Sequence, residues 1–315
     1  MVDTDRTTTS GENMSTRAQP ITTQARRMVR SAIRAVRSDN RVLSRYVFNA
    51  VPVLQHRRLP APLAPAAAEV AAQLIESGVA MSNVSSLLGG TEIVDKLVAQ
   101  AAMLRAQDDG EVDAAKPFLT ELLGSAPMLR PEDPLLAVAL HPQVKGVAES
   151  YCRMRLRVQD VNIWVNQALA TGAPTQSQRW HRDLPEDLNI VKCFVYLSDV
   201  PDEAGPLQYV IGSNTSEGRK VQLAEEFDGI GHRLSDSDVM ATFGAEHIMT
   251  ARAPAGTMVF ADTRGVHRGG FAQQGERVVV QITYASGACT RPRTLRAAPG
   301  VDRRQLRDIR LARRW

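Results

Sequence analysis

Residues 189–212 read NIVKCFVYLSDVPDEAGPLQYVIG. The first run, NIVKCFVYL, alternates Lys192, Phe194 and Tyr196 with Val191, Cys193 and Val195. That period of two places the two sets on opposite faces of a strand. An acidic Pro/Gly turn follows, and then a second apolar run, LQYVIG (207–212). Working outward, RVQDVNIWVNQAL (157–169), GTMVFA (256–261) and RVVVQITYA (277–285) have the same β-branched and aromatic character. ATGAPT, APAG, RGG and QQGE punctuate them as turns. Several short strands of this kind predict a β-sandwich or barrel.

The chain before residue 155 reads differently. Helical patterns cover roughly 65–77, 92–107, 117–124 and 142–153, and Gly78 and the Pro131/Pro134 segment are plausible stops. Residues 1–20 are Thr/Ser-rich and predict a disordered leader. A basic helical pattern spans 24–38. The expected organisation is therefore a leader (1–20), a mainly helical flank (21–154), a β core (155–290) and a basic tail (291–315), all in one catalytic domain. Expected class is α+β with a mainly β core. The tail, with Leu306, Ile309 and Leu311 among its arginines, predicts a helix packed on the barrel or on a second copy.

Composition excludes several classes. Apolar residues are 43% and charged residues 23%, which rules out wholesale disorder. There is no 18-residue apolar run, and the polar N-terminus lacks the apolar core of a secretory signal. Three scattered cysteines argue against a disulfide framework and predict a reducing, cytoplasmic setting. The net charge of +4 conceals an asymmetry: residues 1–60 carry +7, residues 290–315 carry +7, and the middle carries −10. The basic ends are read as packing or assembly segments, including contact between copies. A nucleic-acid partner is not expected, because the chemistry-bearing residues lie in the acidic middle.

One local motif carries chemistry, Trp180-His181-Arg182-Asp183. A His and an Asp two apart on an extended segment can converge on one metal ion. A second histidine, His267, follows in FADTRGVHRGG (260–270). Two imidazoles and one carboxylate leave three open positions on an octahedral ion, the facial triad of non-haem Fe(II) oxygenases. Ten residues on, Arg277 opens a strand, and a buried arginine there suits a dicarboxylate held by a bidentate fork.

WHRD, VYLSDVPDEAGPLQYVIGSN, GTMVFADTRGVHRGG and ERVVVQITYA, in that order, resemble the phytanoyl-CoA dioxygenase (PhyH)-like Fe(II)/2-oxoglutarate oxygenases. The resemblance spans about residues 160–286. It implies a double-stranded β-helix, a jelly-roll or cupin-like barrel with helices packed around it. It implies Fe(II) at His181, Asp183 and His267, and Arg277 on the distal carboxylate of 2-oxoglutarate. It further implies O2 as co-substrate and hydroxylation of a small molecule, with succinate and CO2 as co-products. The carboxylate at position 183 disfavours halogenation, since related halogenases carry a small residue there.

Carried over residue by residue, the resemblance places Phe194 on the co-substrate pocket and Asn166 near 2-oxoglutarate. The family often has a hydroxyl two residues after the distal His, but here that residue is Gly269. Thr283 or Thr257 is then the expected second contact. Trp180 reads equally as a substrate-stacking residue and as core. An inward Lys192 reads as a contact for an anion, against the commoner edge lysine that snorkels to water. Arg264 and Arg268 read as contacts for an acidic substrate or as plain loop charges. The 212–255 insertion is the expected lid, and His232 and His247 within it are expected on the surface. Two other uses of the same residues are an inactive jelly-roll scaffold and a zinc or manganese hydrolase. A hydrolase has no need of the Arg277 clamp.

Overall fold

A computed structural model describes residues 40–107, 118–168, 172–183, 187–221, 225–227 and 231–312. The expected leader (1–20) and basic helix (24–38) lie outside these residues. In chain order the strands are β1 (Val79–Asn83), β2 (Leu119–Glu121), β3 (Met128–Leu129), β4 (Arg157–Gln167), β5 (Ile190–Tyr196), β6 (Leu207–Val210), β7 (Glu225–Phe227), β8 (His232–Leu234), β9 (Ile248–Thr250), β10 (Thr257–Ala261), β11 (His267–Gly269), β12 (Glu276–Ala285) and β13 (Arg296–Ala297).

The larger sheet is antiparallel with the order β1-β10-β5-β12-β4-β2. A smaller antiparallel sheet has the order β11-β6-β9. Alternation along β5 and β12 builds both sides of the larger sheet. Val191, Cys193 and Val195, with Val280, Ile282 and Tyr284, join Leu74, Leu97 and Val147 of the helices in one apolar core. The alternate residues, Lys192, Phe194 and Tyr196 with Arg277, Val279 and Gln281, line a cavity on the other face. Tyr196, Leu207, Tyr209, Ala251 and Val259 pack together and tie the two sheets. The architecture is the expected jelly-roll core with helices against it.

Helices Pro65–Ser77, Glu92–Gln107 and Pro142–Cys152 form where the apolar spacing places them. Gly78 ends the first in the left-handed region, at φ 81°, which costs glycine no Cβ clash. Within the expected 117–124 helix, residues 118–124 are a correction: in place of a helix, Leu119–Glu121 forms β2 on the free edge of β4. The Leu119, Leu122, Leu123 spacing mimics a helix, but so short a segment gains more from a ladder than from one or two helical turns. β1 likewise comes from the helical flank and closes the opposite edge against β10. The tail is the second correction. Residues 303–308 form turns rather than a helix, and Leu306, Ile309 and Leu311 are still buried against the barrel. Arg310 fixes this segment by donating to the carbonyls of Ser286, Gly287 and Cys289.

Candidate metal centre

His181 and His267 come together through backbone pairing. The His181 N–H donates to the His267 carbonyl (3.0 Å), and the His267 N–H donates to the His181 carbonyl (2.9 Å). The imidazole centroids are 4.4 Å apart. Asp183 is anchored two residues on, its N–H donating to Thr263 O at 2.9 Å. One potential ligand atom from each of His181, Asp183 and His267 lies within 4.8 Å of the others.

The donor set fits a divalent cation. His181 Nδ1 lies 2.9 Å from Arg179 O, and His267 Nδ1 lies 3.0 Å from Gly265 O. A carbonyl only accepts, so each Nδ1 carries the proton and each Nε2 lone pair is left for a metal. Burial, with the neighbouring His267, pushes the His181 imidazole down to about 3. Burial also lowers His267, partly opposed by Asp183. Both rings are therefore neutral, the form that ligates. Burial raises the Asp183 carboxyl, but its charged neighbours, the Lys192 ammonium first, outweigh it and hold the group well below the usual carboxylate range. These residues face a cavity of about 630 Å³ with room beside them for further ligands.

Arg277 is buried on the same cavity. Its Nη1 donates to Gly205 O, and its remaining N–H groups have no partner among the described residues. Gly269 explains part of this placement, because a Cβ there would stand 3.2 Å from Arg277 Nη2. Burial lowers the guanidinium pKa, yet arginine stays charged.

Asn166, Phe194, Lys192 and Arg264 also line the cavity. Arg264 is largely committed to a buried pair with Asp262. Asp262 accepts from Tyr151 as well, and it does not touch an imidazole. Lys192 is inward and buried, with Nζ 2.6 Å from Asp183 Oδ2. The edge-lysine alternative is thereby corrected, because β5 lies inside the sheet.

Thr283 and Thr257 are outside the cavity lining, and the Thr283 hydroxyl is buried without a hydrogen-bond partner. Residues not singled out from the sequence that do line it include Tyr196, Gln178 and Gln281. Tyr196 and Gln281 were reachable by counting in twos from Phe194 and Arg277. Gln178, on a 3-10 turn, gave no signal. His232, expected on the surface, is exposed at the cavity rim, and His247 is exposed.

Of its two even readings, Trp180 takes the core one in the structure and not the substrate contact. It is 1% exposed and packs with Val210, Leu234, Val239 and Val266, away from the cavity. Its Nε1 donates to Asp236 (2.8 Å), and the Arg268 guanidinium sits 4.3 Å from its ring centroid. Trp180→Phe is therefore expected to lower stability by about 1–3 kcal/mol without changing half-saturation by 2-oxoglutarate. Denaturant unfolding and a co-substrate titration check the two halves.

The phytanoyl-CoA dioxygenase (PhyH) family model matches residues 82–273, more than half of the chain. The chain belongs to the phytanoyl-CoA dioxygenase family. It is an iron- and 2-oxoglutarate-dependent oxygenase. Arg277 lies just past the matched segment of this PhyH protein. Among solved structures, the 2-oxoglutarate-dependent epimerase SnoN from nogalamycin biosynthesis is 19% identical, covering 70% of this chain and 83% of its own, with a TM-score of 0.47. EctD from S. alaskensis, with 2-oxoglutarate and 5-hydroxyectoine, is 16% identical over 84% of this chain and 89% of its own, at 0.49. HygX from Streptomyces hygroscopicus, with nickel, 2-oxoglutarate and hygromycin B, is 15% identical over 69% and 86%, at 0.45. No curated protein matches. No helix among the described residues is long and apolar enough to cross a membrane.

Proposed function

We propose that this PhyH-family oxygenase hydroxylates a small molecule. In this reading His181, Asp183 and His267 hold Fe(II), and Arg277 holds the distal carboxylate of 2-oxoglutarate. What carries it is the convergence of two neutral imidazoles, one ionised carboxylate and a buried guanidinium with donors to spare on a single cavity. Iron with 2-oxoglutarate and O2 supplies the oxidising power for the C–H bond, and the co-substrate leaves as succinate and CO2.

The chain's own part is binding, orientation and exclusion of water. Arg277 matches a carboxylate by geometry as well as charge. Asn166 faces Arg277 across the β4–β12 ladder and lines the cavity, which supports its expected polar contact near 2-oxoglutarate. Phe194, Trp164, Tyr196 and Val279 form the apolar wall that strengthens these contacts by lowering the local dielectric. The 212–255 insertion contributes Arg233 and Leu234 to the cavity and is the expected closing segment that selects substrate. Residues 155–290 act as the catalytic core of one domain with the helical flank, and the basic ends serve packing or contact between copies. The three buried free cysteines suit a reducing cytoplasm. A screen of candidate small molecules for stimulated succinate formation tests the reading. Expected is a product gaining one oxygen atom in step with succinate; substrate oxidation with 2-oxoglutarate untouched would refute it.

A further inference from the structure

Lys192 is costly where it stands. It lies in mid-sheet, with Ala261 of β10 opposite on one side and Thr283 of β12 on the other. Val191 and Cys193 beside it are in the apolar core, so the pleat sends Lys192 into the cavity with Phe194 and Tyr196. Its side chain is 11% exposed, and an ammonium buried to that degree needs a counter-charge. That charge is Asp183, with Oδ2 at 2.6 Å. The other oxygen, Oδ1, faces the imidazoles, 3.9 Å from His181 Nε2.

Resting on the metal-centre reading above, we propose that Lys192 is a positioning residue of that centre. It occupies Asp183 Oδ2, so the carboxylate presents Oδ1 alone toward the ion, and it keeps a positive charge on the wall where dianionic 2-oxoglutarate must bind. Both effects act in one direction. Without Lys192, Oδ2 is free to claim space at the ion, and the dianion loses an attractive charge. Outer-shell partners of metal ligands commonly contribute about 10–100-fold in affinity or activity.

The experiment is an anaerobic titration of Fe(II)-loaded full-length protein with 2-oxoglutarate, followed by its visible absorption band. Iron content and the thermal melt of each variant are measured alongside. Lys192→Met is expected to load one iron but to need roughly tenfold or more 2-oxoglutarate for half-saturation. Lys192→Arg keeps the charge and should stay close to wild type. Should Lys192→Met fail to fold, Lys192→Gln takes its place with the same expectation. An unchanged midpoint in iron-loaded Lys192→Met overturns the proposal, as does an equal loss in Lys192→Arg. Wild-type protein that loads iron but gives no band overturns the functional reading, and this inference with it.

Discussion

Asp183→Ala is expected to remove iron binding and reduce 2-oxoglutarate turnover to background. The variant loses the only carboxylate of the triad. It also strands Lys192, whose ammonium then stands beside the site with no counter-charge from Asp183. Loss of a ligand and exposure of a repelling cation both oppose a divalent ion. The pair is half-buried on the Asp183 side, and losing one partner leaves the Lys192 charge uncompensated, so the metal-free variant should also melt earlier than wild type. Iron quantitation, succinate formation and a thermal melt read the three effects separately. Wild-type turnover in Asp183→Ala would mean that this aspartate is no part of the centre.

Arg277→Ala gives the second largest effect, of a different kind. The triad is intact, so iron loading should persist. On the proposed reading, what is lost is the buried guanidinium that would hold the 2-oxoglutarate carboxylate, and truncating such a partner costs about 2–5 kcal/mol. That corresponds to roughly 30-fold or more in the 2-oxoglutarate needed for half-saturation. Gly205 O also loses its donor, which adds a smaller structural cost. Measured together, the two variants should separate: Asp183→Ala loses metal, whereas Arg277→Ala keeps metal and loses co-substrate. Loss of iron from Arg277→Ala as well would argue for damage to the fold.

The residues expected to separate in this way are also the most legible in sequence. His181 and Asp183 are neighbours in the chain, and Arg277 starts a strand whose alternation fixes its direction. Lys192, Phe194 and Tyr196 could be assigned to one face for the same reason. Contacts across the chain were not legible. The direction of Trp180 is set by pairing with β8, where Leu234 N donates to Trp180 O. β1 (VAMSN) and β2 (LTE) lack a β-branched or aromatic run and take their conformation from the open edges of β10 and β4. The Lys192–Asp183 pair joins residues on different elements, so alternation could show the lysine pointing inward without showing what it meets. The substitution of Gly269 for a hydroxyl residue looked like a lost contact. In three dimensions it is the space that the Arg277 guanidinium fills.

We propose that His181, Asp183, His267 and Arg277 form one centre that binds iron and 2-oxoglutarate together. Anaerobic addition of 2-oxoglutarate to the Fe(II)-loaded wild-type protein tests it most directly. One iron per chain and a saturable visible absorption band, absent in Asp183→Ala and shifted to higher 2-oxoglutarate in Arg277→Ala, is the predicted result. Iron bound with no band at any 2-oxoglutarate concentration would contradict it.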